Sequence, residues 1–390
     1  MSTVVMPTYY FQLPVAFERG DGAWLWDTEG NKYLDALSGI AVCSLGHAHP
    51  KITAAIYEQA SKVLHTSNTF LIPNQIKLAE RLVKLSNMDQ AFFCNSGAEA
   101  NEAAIKLSRA FARKKNIAEP IVVTMQNSFH GRTLATLTAS GSERLQIGFE
   151  PLPVGFMHVP YDDIEAIKKL TDNKNVVAIM LEPVQGDGGI RIADTSYLKQ
   201  IRELCDQNDW LMILDEVQTG IGRTGRWFAY QHLNILPDVL TLAKALGNGV
   251  PIGACLARGK AANLFGPGKH GTTFGGNPFV CGTALAVLKT FEEENVVENA
   301  EKMGEYLLKS LKEAFAKTAG IVDVRGKGLM IGVELDRPGR DLLAIGLKHG
   351  LLFNITADRV IRLLPPLIIS KDEADQIVIR LKAAVDEFLK

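Results

Sequence analysis

Two polar residues, each ending a strand-like apolar run in the middle of this 390-residue chain, have types that could do chemistry. Residues 211–214 are all apolar and stop at Asp215-Glu216. That pattern delivers a carboxylate to the carboxyl end of a buried strand, the rim where open α/β sheets hold ligands. A second run, residues 238–242, closes at Lys244, and one βαβ-sized interval separates the two, so acid and amine can share a rim. A lysine among apolar residues is readily deprotonated and can form a Schiff base with an aldehyde, while a nearby Asp can keep a pyridinium nitrogen protonated. Together the two residues suit pyridoxal phosphate. Either alone has an ordinary reading, as a helix cap or a solvated cation, so the surroundings decide.

Residues 91–94 read as a short buried strand, which Asn95-Ser96-Gly97-Ala98-Glu99-Ala100-Asn101 turns into a helix running to about residue 115. Such a turn presents backbone N–H groups at the positive end of a helix dipole and suits a phosphate, although Ser96-Gly97 would serve equally well as an ordinary N-cap. After a strand at 121–124 comes Ser128-Phe129-His130-Gly131-Arg132-Thr133. Here an aromatic ring that can stack on a planar cofactor stands beside an arginine that can hold a carboxylate with a two-pronged fork; the alternative is a solvated loop arginine. Residues 176–181 form the most continuous β-branched run and end at Glu182-Pro183, followed by Gln185-Gly186-Asp187-Gly188-Gly189, too glycine-rich for a helix. His270-Gly271-Thr272-Thr273-Phe274-Gly275-Gly276-Asn277-Pro278 is a second loop, with hydroxyls and open backbone suited to anions. A lone arginine, Arg362, interrupts the apolar run at 360–367.

The elements that must position these residues follow from periodicity and turn signals. Residues 17–37 read as a small β-meander, and 51–63 and 74–85 as amphipathic helices. Strands and helices alternate from about residue 56 to 289, whereas both chain ends carry β-rich pieces that should pack together. A chain of 390 residues exceeds one ordinary core. The expected division is a large α/β domain at 56–289, with a mainly parallel central sheet flanked by helices, and a smaller α+β domain built from 1–55 and 290–390. With 42 basic and 43 acidic residues and a net charge of -1, nothing attracts nucleic acid or an anionic membrane. Five scattered cysteines without a CxxC pair indicate neither a disulfide framework nor a zinc site. His47 and His49 share a turn but have no third ligand nearby, so no metal is expected. Without a basic leader or an apolar run approaching roughly eighteen residues, a cytoplasmic location is the expectation.

Taken in order, the segments Asn95-Ser96-Gly97-Ala98-Glu99-Ala100-Asn101-Glu102, Phe129-His130-Gly131-Arg132-Thr133, Glu182-Pro183-Val184-Gln185-Gly186, Leu214-Asp215-Glu216-Val217-Gln218-Thr219-Gly220, Ala243-Lys244 and Gly271-Thr272-Thr273-Phe274-Gly275-Gly276-Asn277-Pro278 make a specific set. On them the chain resembles the class III (subgroup II) aminotransferases of fold type I, from Pro14-Val15-Ala16-Phe17 to Arg362-Leu363-Leu364-Pro365-Pro366. The resemblance implies pyridoxal 5′-phosphate as cofactor, with Lys244 as Schiff-base lysine, Asp215 at the pyridine nitrogen and Gln218 at the ring hydroxyl. It also implies Phe129 stacked on the ring and Ser96, Gly97 and Ala98 around the phosphate. Thr273 would reach the phosphate of a neighbouring subunit and Thr272 the acyl substrate across the interface, which implies an obligate homodimer with shared active sites. Arg132 would hold a substrate carboxylate. Glu182 would neutralise Arg362 until the α-carboxylate of 2-oxoglutarate claims it. A tyrosine would face the substrate; Thr8-Tyr9-Tyr10-Phe11-Gln12-Leu13-Pro14 has one residue more than the family pattern, and counting back from Pro14 favours Tyr10 over Tyr9. Asp187 stands where the family usually has Glu.

The reaction so implied moves the δ-amine of N2-acetylornithine to 2-oxoglutarate, a step of arginine biosynthesis. Ornithine, succinylornithine and 4-aminobutyrate present the same terminal amine and stay open as donors; Leu64-His65-Thr66-Ser67-Asn68 and Leu45-Gly46-His47 are most similar to the members that use acetylornithine. A non-catalytic regulatory relative is countered by intact Lys244, Asp215 and Arg132. A dehydrogenase is countered by the lack of GxGxxG after an early strand.

Overall fold

The computed structural model describes Met6, Thr8 and residues 12–390; Tyr10 and its alternative, Tyr9, lie outside the described residues. The chain opens with three short strands, β1 (Phe17–Asp21), β2 (Trp24–Asp27) and β3 (Lys32–Asp35), the expected meander. Its middle contributes β4 (Gln90–Cys94), β5 (Ile121–Met125), β6 (Phe156–Val159), β7 (Val176–Leu181), and the two-residue strands β8 (Val184–Gln185) and β9 (Arg191–Ile192). Next come β10 (Leu211–Asp215), β11 (Val239–Leu242) and β12 (Gly253–Ala257). The last stretch adds β13 (Ile321–Lys327), β14 (Met330–Leu335), β15 (Leu351–Leu352), β16 (Asn354–Thr356) and β17 (Val360–Leu363).

The central sheet runs β4-β12-β11-β10-β7-β5-β6. Its strands are parallel except β12, which lies antiparallel to both β11 and β4. Every residue of β7, β10 and β11 is buried. This explains their predominantly Val, Ile, Leu and Met composition, because both faces of a parallel sheet need cover. Leu211 and Ile213 pack on the side of helix Gly97–Lys114, with Ala103, Ala104, Leu107 and Phe111. Met212 and Leu214 pack on the other side, with Leu198, Ile201 and Cys205 of helix Thr195–Gln207. By strand alternation Asp215 falls on the first side, facing helix Gly97–Lys114.

β10 and β11 are parallel neighbours, with Asp215 opposite Thr241, but no α-helix joins them. The connection holds only a 3-10 turn at Ala229–His232. Gly222 and Gly225 take left-handed φ of 84° and 85° there, and the buried Glu216 carboxylate accepts the N–H groups of Ala229 (2.6 Å) and Tyr230 (3.0 Å). The connection is therefore folded around one carboxylate in place of a helix.

A separate antiparallel sheet, β13-β14-β17-β16, carries the C-terminal strands. β15 pairs in parallel with β3, so strands from both ends of the chain share one sheet. No helix among the described residues is long and apolar enough to cross a membrane.

β3 delivers Asp35, which organises the next segment. Its Oδ1 accepts the N–H of Leu37 (2.9 Å) and Ser38 (2.8 Å), and its Oδ2 lies 2.8 Å from His47 Nε2. His49 instead lies 3.2 Å from Glu294, so the two histidines face separate carboxylates. Burial opposes a charge on His47, but its hydrogen bond to Asp35 prevails and raises its pKa from 6.5 to about 9. A raised folded-state pKa gives stability that is complete below the unfolded value and lost as pH climbs through the folded one. Unfolding free energy is expected to fall by up to about 3 kcal/mol between roughly pH 6 and pH 9.5 through this pair. Urea midpoints at the two pH values would show that slope in the native chain and its absence in His47→Gln.

Candidate active site

The carboxyl ends of β4, β5, β7, β10 and β11 open on one cavity of about 390 Å³. Nine of the residues picked out from sequence line it: Ser96, Gly97, Ala98, Phe129, Arg132, Glu182, Asp215, Gln218 and Lys244. Adjacent parallel strands in register place Asp215, Glu182 and Lys244 on the same rim.

Asp215 is buried and held through both of its oxygens. Its Oδ2 accepts from Asn101 Nδ2 and lies against His130 Nδ1, each at 2.8 Å, and its Oδ1 accepts the N–H of Val217 at 3.0 Å. Asn101 is fixed in turn, accepting the Thr241 hydroxyl (2.7 Å) and donating to the His130 carbonyl (2.7 Å). Sequence reasoning missed Asn101, His130 and Thr241. A signal existed for Asn101, a polar residue one turn after Gly97 on a helix face otherwise built of Ala100, Ala103 and Ala104. His130 Nε2 is buried without a hydrogen-bond partner among the described residues.

Helix Gly97–Lys114 points its first turn at the cavity. Ser96 Oγ accepts the Glu99 N–H at 3.2 Å, so this residue does act as N-cap. The N–H groups of Gly97 and Ala98 have no acceptor among the described residues and, at the positive end of an 18-residue helix, are ready to receive an anion. The cap and the free N–H groups of Ser96-Gly97 do not exclude one another. Glycine is required at 97 because a Cβ there would come within 2.7 Å of Val217 Cγ1.

Lys244 follows β11 with a left-handed φ of 45°, strain of the kind that concentrates at functional sites. Its side chain is half-buried in the cavity wall, and no acceptor among the described residues binds its Nζ. Burial pulls its pKa below that of an ordinary lysine, reinforced by Arg362 and opposed by Asp187, Asp215 and Glu182. The result is an amine that loses its proton easily, next to a fixed carboxylate.

The expected pairing of Glu182 with Arg362 is corrected by the structure. Glu182 is held by backbone, accepting the N–H groups of Phe129 (3.0 Å) and Gly186 (3.1 Å), and burial pushes its pKa up to about 7. Arg362, buried in β17, instead meets Asp187, with Nη1 at 2.5 Å from Oδ1; its Nε donates to Asn354 at 3.0 Å. Burial opposes ionisation of Asp187, but Arg362 above all holds its carboxyl below the usual value. Arg362 sits behind Gln218, whose Oε1 lies 3.5 Å from Nη1. The departure from Glu at 187 therefore marks the partner of Arg362, and an acid set among Gly186, Gly188 and Gly189 was the signal available for it.

Arg132 is exposed at the mouth, 5.5 Å from the centre of the Phe129 ring, and has no ion-pair partner among the described residues. Thr272 and Thr273 do not line this cavity. Thr272 accepts the Gly275 N–H (3.1 Å) and borders a second cavity of about 580 Å³, while Thr273 is exposed.

On one cavity of a mainly parallel sheet the structure gathers two helix N–H groups without an acceptor among the described residues, an amine without one, and a buried carboxylate held by Asn101 and His130, the kinds of group that a phosphate-bearing aldehyde cofactor needs. Residues 5–385 match the class-III aminotransferase family, and the chain belongs to it. The chain is 51% identical over 387 residues to an acetylornithine aminotransferase of Nitrosomonas europaea, covering 99% of this chain and 98% of that one. A solved N-acetylornithine aminotransferase from Stenotrophomonas maltophilia superposes with a TM-score of 0.85 at 36% identity, covering 97% of this chain and 98% of that one. The ornithine aminotransferase of Toxoplasma gondii superposes with a TM-score of 0.95 at 33% identity, covering 100% and 94%. Membership implies pyridoxal 5′-phosphate as cofactor, and the residues present fit it.

Proposed function

We propose that the protein transfers the δ-amino group of N2-acetyl-L-ornithine to 2-oxoglutarate, giving N-acetyl-L-glutamate 5-semialdehyde and L-glutamate. The observation that carries this reading is the opposite state of two arginines, Arg132 exposed and without an ion-pair partner among the described residues, Arg362 buried and neutralised by Asp187. Such a site can accept one substrate with a carboxylate at its reacting carbon and another without. The choice of an acylated ornithine as the second draws on the relatives at about half identity.

Bound pyridoxal phosphate supplies an aldehyde and an electron-withdrawing ring. Gly97 and Ala98 would receive its phosphate with Ser96 capping the same turn, Phe129 would cover the ring, Gln218 would meet the ring hydroxyl and Asp215 would hold the ring nitrogen protonated. Lys244 Nζ would take the proton from the carbon that carries the transferred nitrogen and hold it for return. Arg132 grips the remote carboxylate in both half-reactions. Asp187 occupies Arg362 while the donor is bound and yields it to the α-carboxylate of 2-oxoglutarate.

The same reading places Thr272 and Thr273 of one subunit at the site of a second copy, with Tyr10 facing the substrate. Exposed Tyr57, Phe70, Leu71 and Phe274 supply apolar surface for that homodimer. Residues 56–289 would act as the cofactor-binding unit, and 1–55 with 290–390 as the smaller one. The reaction would serve arginine biosynthesis in the cytoplasm.

The test compares kcat/KM for N2-acetylornithine, succinylornithine, ornithine and 4-aminobutyrate with 2-oxoglutarate fixed. Acetylornithine is expected to exceed ornithine and 4-aminobutyrate by tenfold or more, about 1.4 kcal/mol of transition-state discrimination. Preference for either of those two would overturn the substrate, and intersecting in place of parallel double-reciprocal lines would overturn the two-step scheme.

A further inference from the structure

Asp187 meets Arg362 from a loop whose position is held from outside its own two strands. The loop, Gly186 to Ile190, lies between β8 and β9, which pair through only two residues each and fix it weakly on their own. What draws it in is the sheet that carries Arg362. Thr356 of β16 donates its hydroxyl to the Asp187 carbonyl at 2.5 Å. Arg325 of β13 donates Nε to the carbonyls of Ile190 (3.0 Å) and Gly189 (3.2 Å), and Nη2 to Gly189 (2.6 Å). Arg325 is itself anchored by Glu334 of β14 (2.6 Å) and by Asp323 (2.9 Å). Gly189 has a φ of 100°, and a Cβ on it would lie 3.3 Å from both Ala357 Cβ and Val360 Cγ2, which shows how closely the loop rests on the turn between β16 and β17.

We propose that Arg325, assisted by Thr356, is a positioning residue that sets how firmly Asp187 masks Arg362, and so fixes the balance between substrates with and without a carboxylate at the reacting carbon. The inference rests on the two-substrate function proposed above. An incoming α-carboxylate competes with Asp187 for one guanidinium. Loosening the loop weakens the competitor and tightens the dicarboxylate, the reverse of what general damage to the site would do.

The experiment measures the dissociation constant of glutarate, an unreactive dicarboxylate, by calorimetry on the holoenzyme and on Asp187→Asn, Arg325→Met and the double variant. Asp187→Asn is expected to tighten glutarate about tenfold, and Arg325→Met about three- to tenfold. The double variant should bind no more tightly than Asp187→Asn, because Arg325 acts through Asp187. Arg325→Lys, which can still donate to a carbonyl, should fall between native and Arg325→Met, and Thr356→Val serves if Arg325→Met does not fold. Glutarate binding that is unchanged or weaker in Arg325→Met, or effects that add in the double variant, would overturn the inference. Unchanged binding in Asp187→Asn would instead overturn the two-substrate reading beneath it.

Discussion

Replacing Lys244 by alanine is expected to lower transamination by about 10⁴-fold or more while leaving the fold intact, since proton transfer by a positioned side chain alone contributes about 10²–10⁴ and, in the proposed function, the amine would also be the covalent attachment point. Nothing in the packing depends on this amine. Its Nζ has no acceptor among the described residues, and burial already disfavours its charge, so removing it leaves no buried polar partner orphaned. The left-handed backbone at 244 is no worse for alanine than for lysine, as both carry a Cβ. The thermal midpoint should therefore stay within a few degrees of the native value, roughly a 1 kcal/mol change or less. Single-turnover rates with acetylornithine and a thermal scan on the same preparation separate chemistry from stability. Turnover within tenfold of native would mean that another amine does the work.

What could be read from the sequence and what could not differ by the kind of constraint involved. Asp215 and Lys244 were legible because each ends an apolar run, and a buried strand that stops at a charged residue has few places to put it. The helix start at Gly97, with its free N–H groups, was legible because a strand-to-helix turn is a local feature. The partner of Arg362 was not. Glu182 and Asp187 are five positions apart, and which carboxylate reaches β17 depends on how the loop at 186–190 is hung from a different sheet by Arg325 and Thr356. The missing helix between β10 and β11 has the same origin, because Glu216 folds that connection around long-range backbone bonds that no periodicity announces. Asn101 lies between these cases: alternation puts Asp215 on the face of β10 that Leu211 and Ile213 share, and one helical turn puts Asn101 below Gly97.

That buttress gives Asp215→Asn its expected consequence, a fall in kcat of about 10²–10³-fold, of the size seen when one positioned charge-stabilising group is removed. The substitution keeps size and shape but replaces Oδ2, the oxygen that accepts from Asn101 and lies against His130, with an amide NH₂. Asn101 cannot easily turn to accept from it, since its own NH₂ also donates to the His130 carbonyl and its oxygen takes the Thr241 hydroxyl. His130 could accept at Nδ1 only by carrying its proton on Nε2, which is buried without a partner among the described residues. One unsatisfied donor is therefore expected in either arrangement, a stability cost of about 1–3 kcal/mol. Loss of the negative charge acts on chemistry as well. Asp215 is one of the groups that hold the Lys244 pKa up against burial, so in the variant that pKa should fall further. The acidic limb of the pH–rate profile is then expected to move to lower pH even as the plateau drops, a combination that simple unfolding would not produce. A kcat within about threefold of native with an unmoved acidic limb would reduce Asp215 to a structural acid, because a carboxylate that stabilises a protonated ring nitrogen cannot become neutral without both effects.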